Sequence, residues 1–131
     1  MAKSGDKFVL RLFDRFDYGE YSSWWTPDKP PIIESLPPSG LVSGDMKSVG
    51  FLALTDCDFA IITWWYTNPE NTNTETYRSM KKLIQGLLDM ARIAGKTKVF
   101  CYTTNRGMIR LLESLHFNNF NGHLIVEISD D

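Results

Sequence analysis

Few side chains in this chain pair reactive chemistry with a position that would expose it. Tyr66, Tyr102 and His116 stand at the ends of expected strands or helices, where a phenol or imidazole could hold or pass a proton. An aromatic or polar side chain that merely ends an element is the simpler reading of all three. Cys57 and Cys101 have no motif partner, which fits free thiols better than a disulfide framework. Cys101 lies inside an expected core strand, so burial and not nucleophilicity is anticipated. Arg78, Lys81 and Lys82 form the most basic cluster and read as a solvated helix face. No His/Cys/Asp/Glu spacing suggests a metal site.

Two aromatic groups stand out for binding. Alternation along a strand puts Trp65 on the face opposite Trp64 and Tyr66. Ring burial explains all three, and a stacking surface for an acyl or adenine group is the sharper alternative. Trp24-Trp25 open a stretch, residues 24–40, that holds Pro27, Pro30, Pro31, Pro37 and Pro38. Proline removes ladder donors and fixes φ, so this stretch is expected to be an ordered but irregular surface crossing. Tyr21, Trp24 and Trp25 are therefore expected to form an interaction surface, with a lid over the sheet end as the alternative use of the two tryptophans.

The elements that would position these groups follow from periodicity. Residues 7–13, 41–43, 49–54 and 59–66 read as strands, the last three joined by connections short enough for an antiparallel meander. Residues 14–20 are too short and charged to predict a helix. Tyr77, Met80, Ile84, Leu87, Leu88 and Ala91 recur at helical spacing, which predicts a helix over residues 74–93. Thr72 and Glu75 fit a capping box at its start, and Gly95 sits where a helix stop belongs. Residues 98–102 form a short strand, Met108, Ile109, Leu111, Leu112 and Leu115 the inner face of a helix over 105–115, and residues 124–128 a last strand. A strand–helix–strand crossover of this length makes the strands beginning at Phe59 and Lys98 parallel. The result is an α/β domain, a mixed sheet flanked by helices.

At 131 residues, 43% hydrophobic and 13% aromatic, the chain suits one domain, residues 1–131, with a real core. A net charge of −2 gives no reason to expect nucleic acid. No apolar run approaches the roughly 18 residues of a membrane span. Met1-Ala2-Lys3-Ser4-Gly5-Asp6-Lys7 lacks a following apolar leader segment, so a cytoplasmic setting is expected.

The order strand–loop–helix–strand–helix from Asp58 to Phe117 resembles the cofactor-binding half of the GNAT superfamily of N-acetyltransferases. That resemblance implies a GNAT-like fold; a ferredoxin-like sandwich is the competing fold. In GNAT proteins a glycine-rich loop cradles the pyrophosphate of acetyl-CoA, because glycines admit close backbone approach and the helix start favours anions. Here the loop from Asn68-Pro69 through Ser79-Met80 has no glycine, although Pro69 and Arg78 have counterparts. Glu70 and Glu75 place carboxylates where a phosphate would lie. The family's tyrosine acid, in the pattern Asn-x-x-Ala-x-x-x-Tyr-x-x-x-Gly-Phe, falls on Leu112, and its glycine on His116, while Asn105 and Phe117 are kept.

Tyr21-Ser22-Ser23-Trp24-Trp25, the Leu36-to-Val42 run, Gly50-Phe51-Leu52-Ala53-Leu54-Thr55-Asp56 and Asn68-Pro69 further resemble small GNAT-fold proteins of tailed phages and prophages. The resemblance implies a non-catalytic protein used in binding or virion assembly, with a virion or host protein as partner and no cofactor. It would act in the bacterial cytoplasm or within the particle. The alternative is an acetyl-CoA-dependent N-acetyltransferase acting on a small-molecule or protein amine. In that case Arg78, Ser79, Trp65, Tyr66 and Asn105 would meet the cofactor.

Overall fold

The computed structural model describes residues 8–128, so Lys7, the first residue of the expected N-terminal strand, lies outside it. The strands are β1 (Leu10–Leu12), β2 (Ser39–Ser43), β3 (Ser48–Leu54), β4 (Phe59–Thr67), β5 (Lys98–Tyr102), β6 (Asn118–Phe120) and β7 (His123–Glu127). The helices are α1 (Tyr18–Ser23), α2 (Asn73–Ile93) and α3 (Arg106–Ser114). One seven-stranded sheet runs in the order β1-β2-β3-β4-β5-β7-β6. Among the described residues only β4 and β5 are parallel neighbours, and they pair over just three positions, Phe59↔Lys98, Ala60↔Val99 and Ile61↔Phe100. Beyond Ile61 the two strands part. This order and this parting match the GNAT-like expectation and exclude the ferredoxin-like sandwich.

Local chemistry explains the long helix. Thr72 Oγ accepts from the Glu75 N–H at 3.1 Å while Glu75 Oε1 accepts from the Thr72 N–H at 2.9 Å, closing the capping box. Met80, Leu83, Ile84, Leu87 and Ala91 are buried against the sheet in one core cluster shared with α3. A side chain at Gly86 would overlap Leu10 and Leu41, so the bare backbone there is what lets α2 approach β1 and β2. The helix stops at Gly95, at φ 82°, with Gly95 N–H bonded to Arg92 O and Lys96 N–H to Ala91 O.

The opposite face of β2, β3 and the end of β4 is covered by α1 and the proline-rich crossing. Periodicity did not predict every element, either here or at the far edge of the sheet. The stretch 14–20 does become helical after Asp14, a 3-10 turn over Arg15–Asp17 running into α1. Asp14 and Asp17 build a second capping box there, and Arg11 holds Asp17 through two bonds of 2.8 and 2.9 Å. The guanidinium depresses the Asp17 carboxyl below its usual range. The other unforeseen element is β6, which joins β7 through Asn121-Gly122, both with positive φ as a tight hairpin turn requires.

Strand β4 carries a bulge. Val49 pairs with Tyr66 but Phe51 pairs with Thr63, leaving Gly50 opposite both Trp64 and Trp65, with Trp64 at φ 55°. Ile62 faces the core under α2. The extra residue then turns Trp64 to the other face, its ring 5.9 Å from that of Trp25, and returns Trp65 to the α2 side.

Candidate functional site

Where β4 and β5 part, residues 62–67 of β4 have no strand beside them on the β5 side. Their backbone groups on that edge line a gap instead of a ladder. A cavity of about 560 Å³ fills the gap. From β4 it is bounded by Trp65, Tyr66 and Thr67, and from the crossing by Trp25. The first turns of α2 contribute Asn73, Thr76, Tyr77 and Met80; those of α3 contribute Asn105, Gly107, Met108 and Leu111. Both helices therefore present their starts, with their positive dipole ends, to the same cleft. Such a parting of adjacent strands at their carboxyl ends is where ligands bind in α/β sheets.

The cleft is rich in aromatic rings and poor in charge. Trp25 stacks on Tyr66 with centroids 4.5 Å apart and planes 20° from parallel. No carboxylate, imidazole, lysine or arginine is among the residues lining the cavity, and its ionisable groups are the phenols of Tyr66 and Tyr77. Just outside, Glu75 caps α2 and pairs with Lys47 Nζ at 3.1 Å. In α3 the Asn105 Oδ1 accepts from the Met108 N–H at 2.9 Å, which makes Asn105 the N-cap.

Trp65, Tyr66 and Asn105 thus meet at one cleft. Arg78 and Ser79, expected as cofactor contacts, do not. The helix already begins at Asn73, so both lie in its second turn: Arg78 is exposed on the outer side, and Ser79 is buried with its hydroxyl donating to Thr76 O at 3.3 Å. Neither lines the cavity.

Two of the three proton-transfer candidates are also elsewhere. Tyr102 packs its ring 4.8 Å from His123 and lines no part of the cleft. His116 is the left-handed residue after α3, at φ 76°, where its N–H bonds Glu113 O and the Phe117 N–H bonds Leu112 O. That is the position glycine fills most easily, because a Cβ there costs about 1–2 kcal/mol. His116→Gly is therefore expected to stabilise the protein by about 1 kcal/mol, read as a higher urea midpoint, and to leave ligand binding in the cleft unchanged.

The aromatic trio expected at the surface is mostly interior. Tyr21 is wholly buried and Trp24 nearly so. Tyr21 is ringed by Phe13, Tyr18, Trp24, Trp25 and Phe51, with its hydroxyl donating to Trp64 O at 2.7 Å. These residues cover the sheet as a lid, and only Trp25 reaches the cleft. Cys101 is buried, and burial pushes its thiol up to about 12; Cys57 is exposed. Among the described residues no helix is long and apolar enough to cross a membrane.

Asn73, Thr76, Tyr77, Met80, Met108 and Leu111 were not anticipated as site residues. Their shared sequence signal is that they occupy the first turns of the two helices that follow a parallel strand pair.

No protein-family model and no curated protein sequence matches the chain. Solved structures do. N-acetylglutamate synthase from Neisseria gonorrhoeae, complexed with coenzyme A and L-arginine, superposes with a TM-score of 0.74 at 14% identity over 94% of this chain. This chain spans only 34% of that enzyme. The ribosomal-protein-S18-alanine N-acetyltransferase of Escherichia coli gives a TM-score of 0.72 at 15% identity, covering 92% of this chain and 94% of that one. A putative acetyltransferase of Salmonella typhimurium, solved with its cofactor acetyl-CoA, gives 0.66 at 17% identity over 96% and 95%. The fold is that of the GNAT acetyltransferases. Because two of these three neighbours hold coenzyme A or acetyl-CoA, the expectation that this chain takes no cofactor is overturned as the reading of its fold.

Proposed function

We propose that the protein binds coenzyme A or an acyl-CoA in the cleft between β4 and β5, and that it works by binding and not by acyl transfer. The observation that carries this is the parting of β4 from β5 over a cavity that both α2 and α3 face with their N-termini. The residues present fit the group. Helix starts suit the phosphates. The open edge of β4 offers backbone partners to the amides of the pantetheine arm, in the manner of an added strand. Bound there, the cofactor would supply a thioester. The chain's own residues would orient it between Trp65 and the α3 start.

Binding without transfer is supported by what stands around the cavity. The position of the family's tyrosine acid holds Leu112, wholly buried in the core. A leucine transfers no proton. Within this reading the protein acts through a protein partner, as the resemblance to phage-encoded GNAT-fold proteins suggests. The second reading, an N-acetyltransferase, is favoured by the Tyr66 and Tyr77 phenols at the cleft. Titration of the full chain with coenzyme A by calorimetry is expected to show saturable micromolar binding, roughly −8 kcal/mol. Thiol release from acetyl-CoA with a panel of amines is expected to stay at background. Absence of saturation up to millimolar ligand refutes the binding reading, and amine-dependent thiol release refutes the non-catalytic one.

Glu75 gives a further check. Its carboxylate stands at the helix start that would meet phosphate, and carboxylates and phosphates compete for the same field. Glu75→Gln keeps an acceptor for the cap and releases Lys47 from its ion pair. The expected result at low salt is about two- to fivefold tighter coenzyme A binding, the effect of a charge at a helix end.

A further inference from the structure

We infer that the thioester this cleft takes carries an apolar acyl chain of several carbons and not an acetyl group. The inference rests on the coenzyme A reading above and specifies its ligand. The cavity has two chemically different ends. At the rim are Asn73 and Asn105, exposed residues at the starts of α2 and α3. At the floor are Met80, Met108 and Leu111, each buried and each part of the main core cluster, with Trp65 packed against the same cluster. The cavity therefore reaches between the two helices into the apolar interior of the domain.

That floor is a poor place for water, which needs two or more polar partners to be held. Ser79 is buried nearby, but its hydroxyl is turned to its own helix at Thr76 O. The pantetheine arm, laid along β4, would take up much of the cavity of about 560 Å³ near the rim, and an acetyl methyl at its end would leave the apolar floor of Met80, Met108 and Leu111 uncovered. A chain of several methylenes would cover it. The two methionines suit this use, because an unbranched thioether side chain re-packs around ligands of differing shape. A polar rim and an apolar floor together select an amphipathic ligand, the polar thioester arm outside and the hydrocarbon within.

Each buried methylene is expected to tighten binding about fourfold, the equivalent of roughly 0.8 kcal/mol. Calorimetry of the full chain against coenzyme A, acetyl-CoA, butyryl-CoA, hexanoyl-CoA and octanoyl-CoA reads this directly. Hexanoyl-CoA is expected to bind on the order of a hundredfold more tightly than acetyl-CoA. A series that is flat from acetyl to octanoyl while coenzyme A still binds overturns the inference and leaves the coenzyme A reading intact. If no member binds, the coenzyme A reading itself has failed. Met108→Trp, which fills the floor, is expected to bring the hexanoyl-to-acetyl ratio close to one in a protein whose melting curve remains cooperative. Should that variant not fold, Leu111→Phe serves the same purpose. A hundredfold preference that persists in a folded, floor-filled variant marks non-specific adsorption of the acyl chain and overturns the inference.

Discussion

Tyr21→Ala is expected to cost about 3–5 kcal/mol, the usual range for deleting a large buried ring, and to leave a domain of ordinary stability barely folded. Tyr21 has no exposed surface, and five rings surround its own at centroid distances between 5.7 and 6.4 Å. Its hydroxyl is the partner of the Trp64 carbonyl at the bulge of β4. Urea denaturation measures the loss, and an unchanged midpoint would show that this aromatic layer does not hold the sheet. Tyr21→Phe separates ring from hydroxyl: it keeps the packing, orphans the Trp64 carbonyl and is expected to cost about 1–3 kcal/mol. It also tests the direction of titration. Burial raises the Tyr21 phenol above its ordinary value. The unfolded chain therefore releases that proton first, so stability is full below about pH 10 and falls as pH climbs past it. Tyr21→Phe removes that part of the alkaline decline.

The second large effect is expected at Leu112. Truncation to alanine should cost about 2–5 kcal/mol, because the side chain is wholly buried in the cluster shared by α2, α3 and the sheet. A residue serving only the ligand would show lost affinity with little loss of stability; Leu112→Ala is expected to show the reverse order of effects in paired urea and calorimetry measurements. Leu112→Tyr introduces a hydroxyl into apolar surroundings and is expected to destabilise by about 1–3 kcal/mol through overpacking, with thiol release from acetyl-CoA still at background. Amine-dependent turnover in that variant would show that the rest of the cleft is competent and that a single lost phenol separates it from catalysis.

Much of this architecture was legible locally. The Thr72 and Glu75 capping box, the apolar stripe from Met80 to Ala91 and the stop at Gly95 are all short-range signals, and α2 follows them closely. The parallel β4–β5 crossover followed from connection length. The helical stretch over Arg15–Asp17 and Tyr18–Ser23 was hidden because its one buried anchor, Tyr21, gains its burial from Phe51 on the distant β3 and from Phe13 just past β1. The β6–β7 hairpin carried the Asn121-Gly122 turn signal, but its flanking residues Asn118 and Asn119 have no strand pattern of their own.

The candidate site divides in the same way. The sequence alone determined the order β4, α2, β5 and α3, the absence of glycine from residues 68–80 and the leucine at position 112, because each is a property of residues near one another in the chain. Only the tertiary structure decided that Arg78 and Ser79 leave the cleft, since a helix starting at Asn73 turns them away from it. It alone decided that Tyr21 and Trp24 are interior and that Trp25 stacks on Tyr66 across more than forty residues of chain. The bulge opposite Gly50 is the sharpest case. Strict alternation would set Ile62 and Trp64 on one face, and a single unpaired residue sets them on opposite faces. Side-chain direction in a sheet depends on pairing register, and register is a relation between strands that no single strand contains.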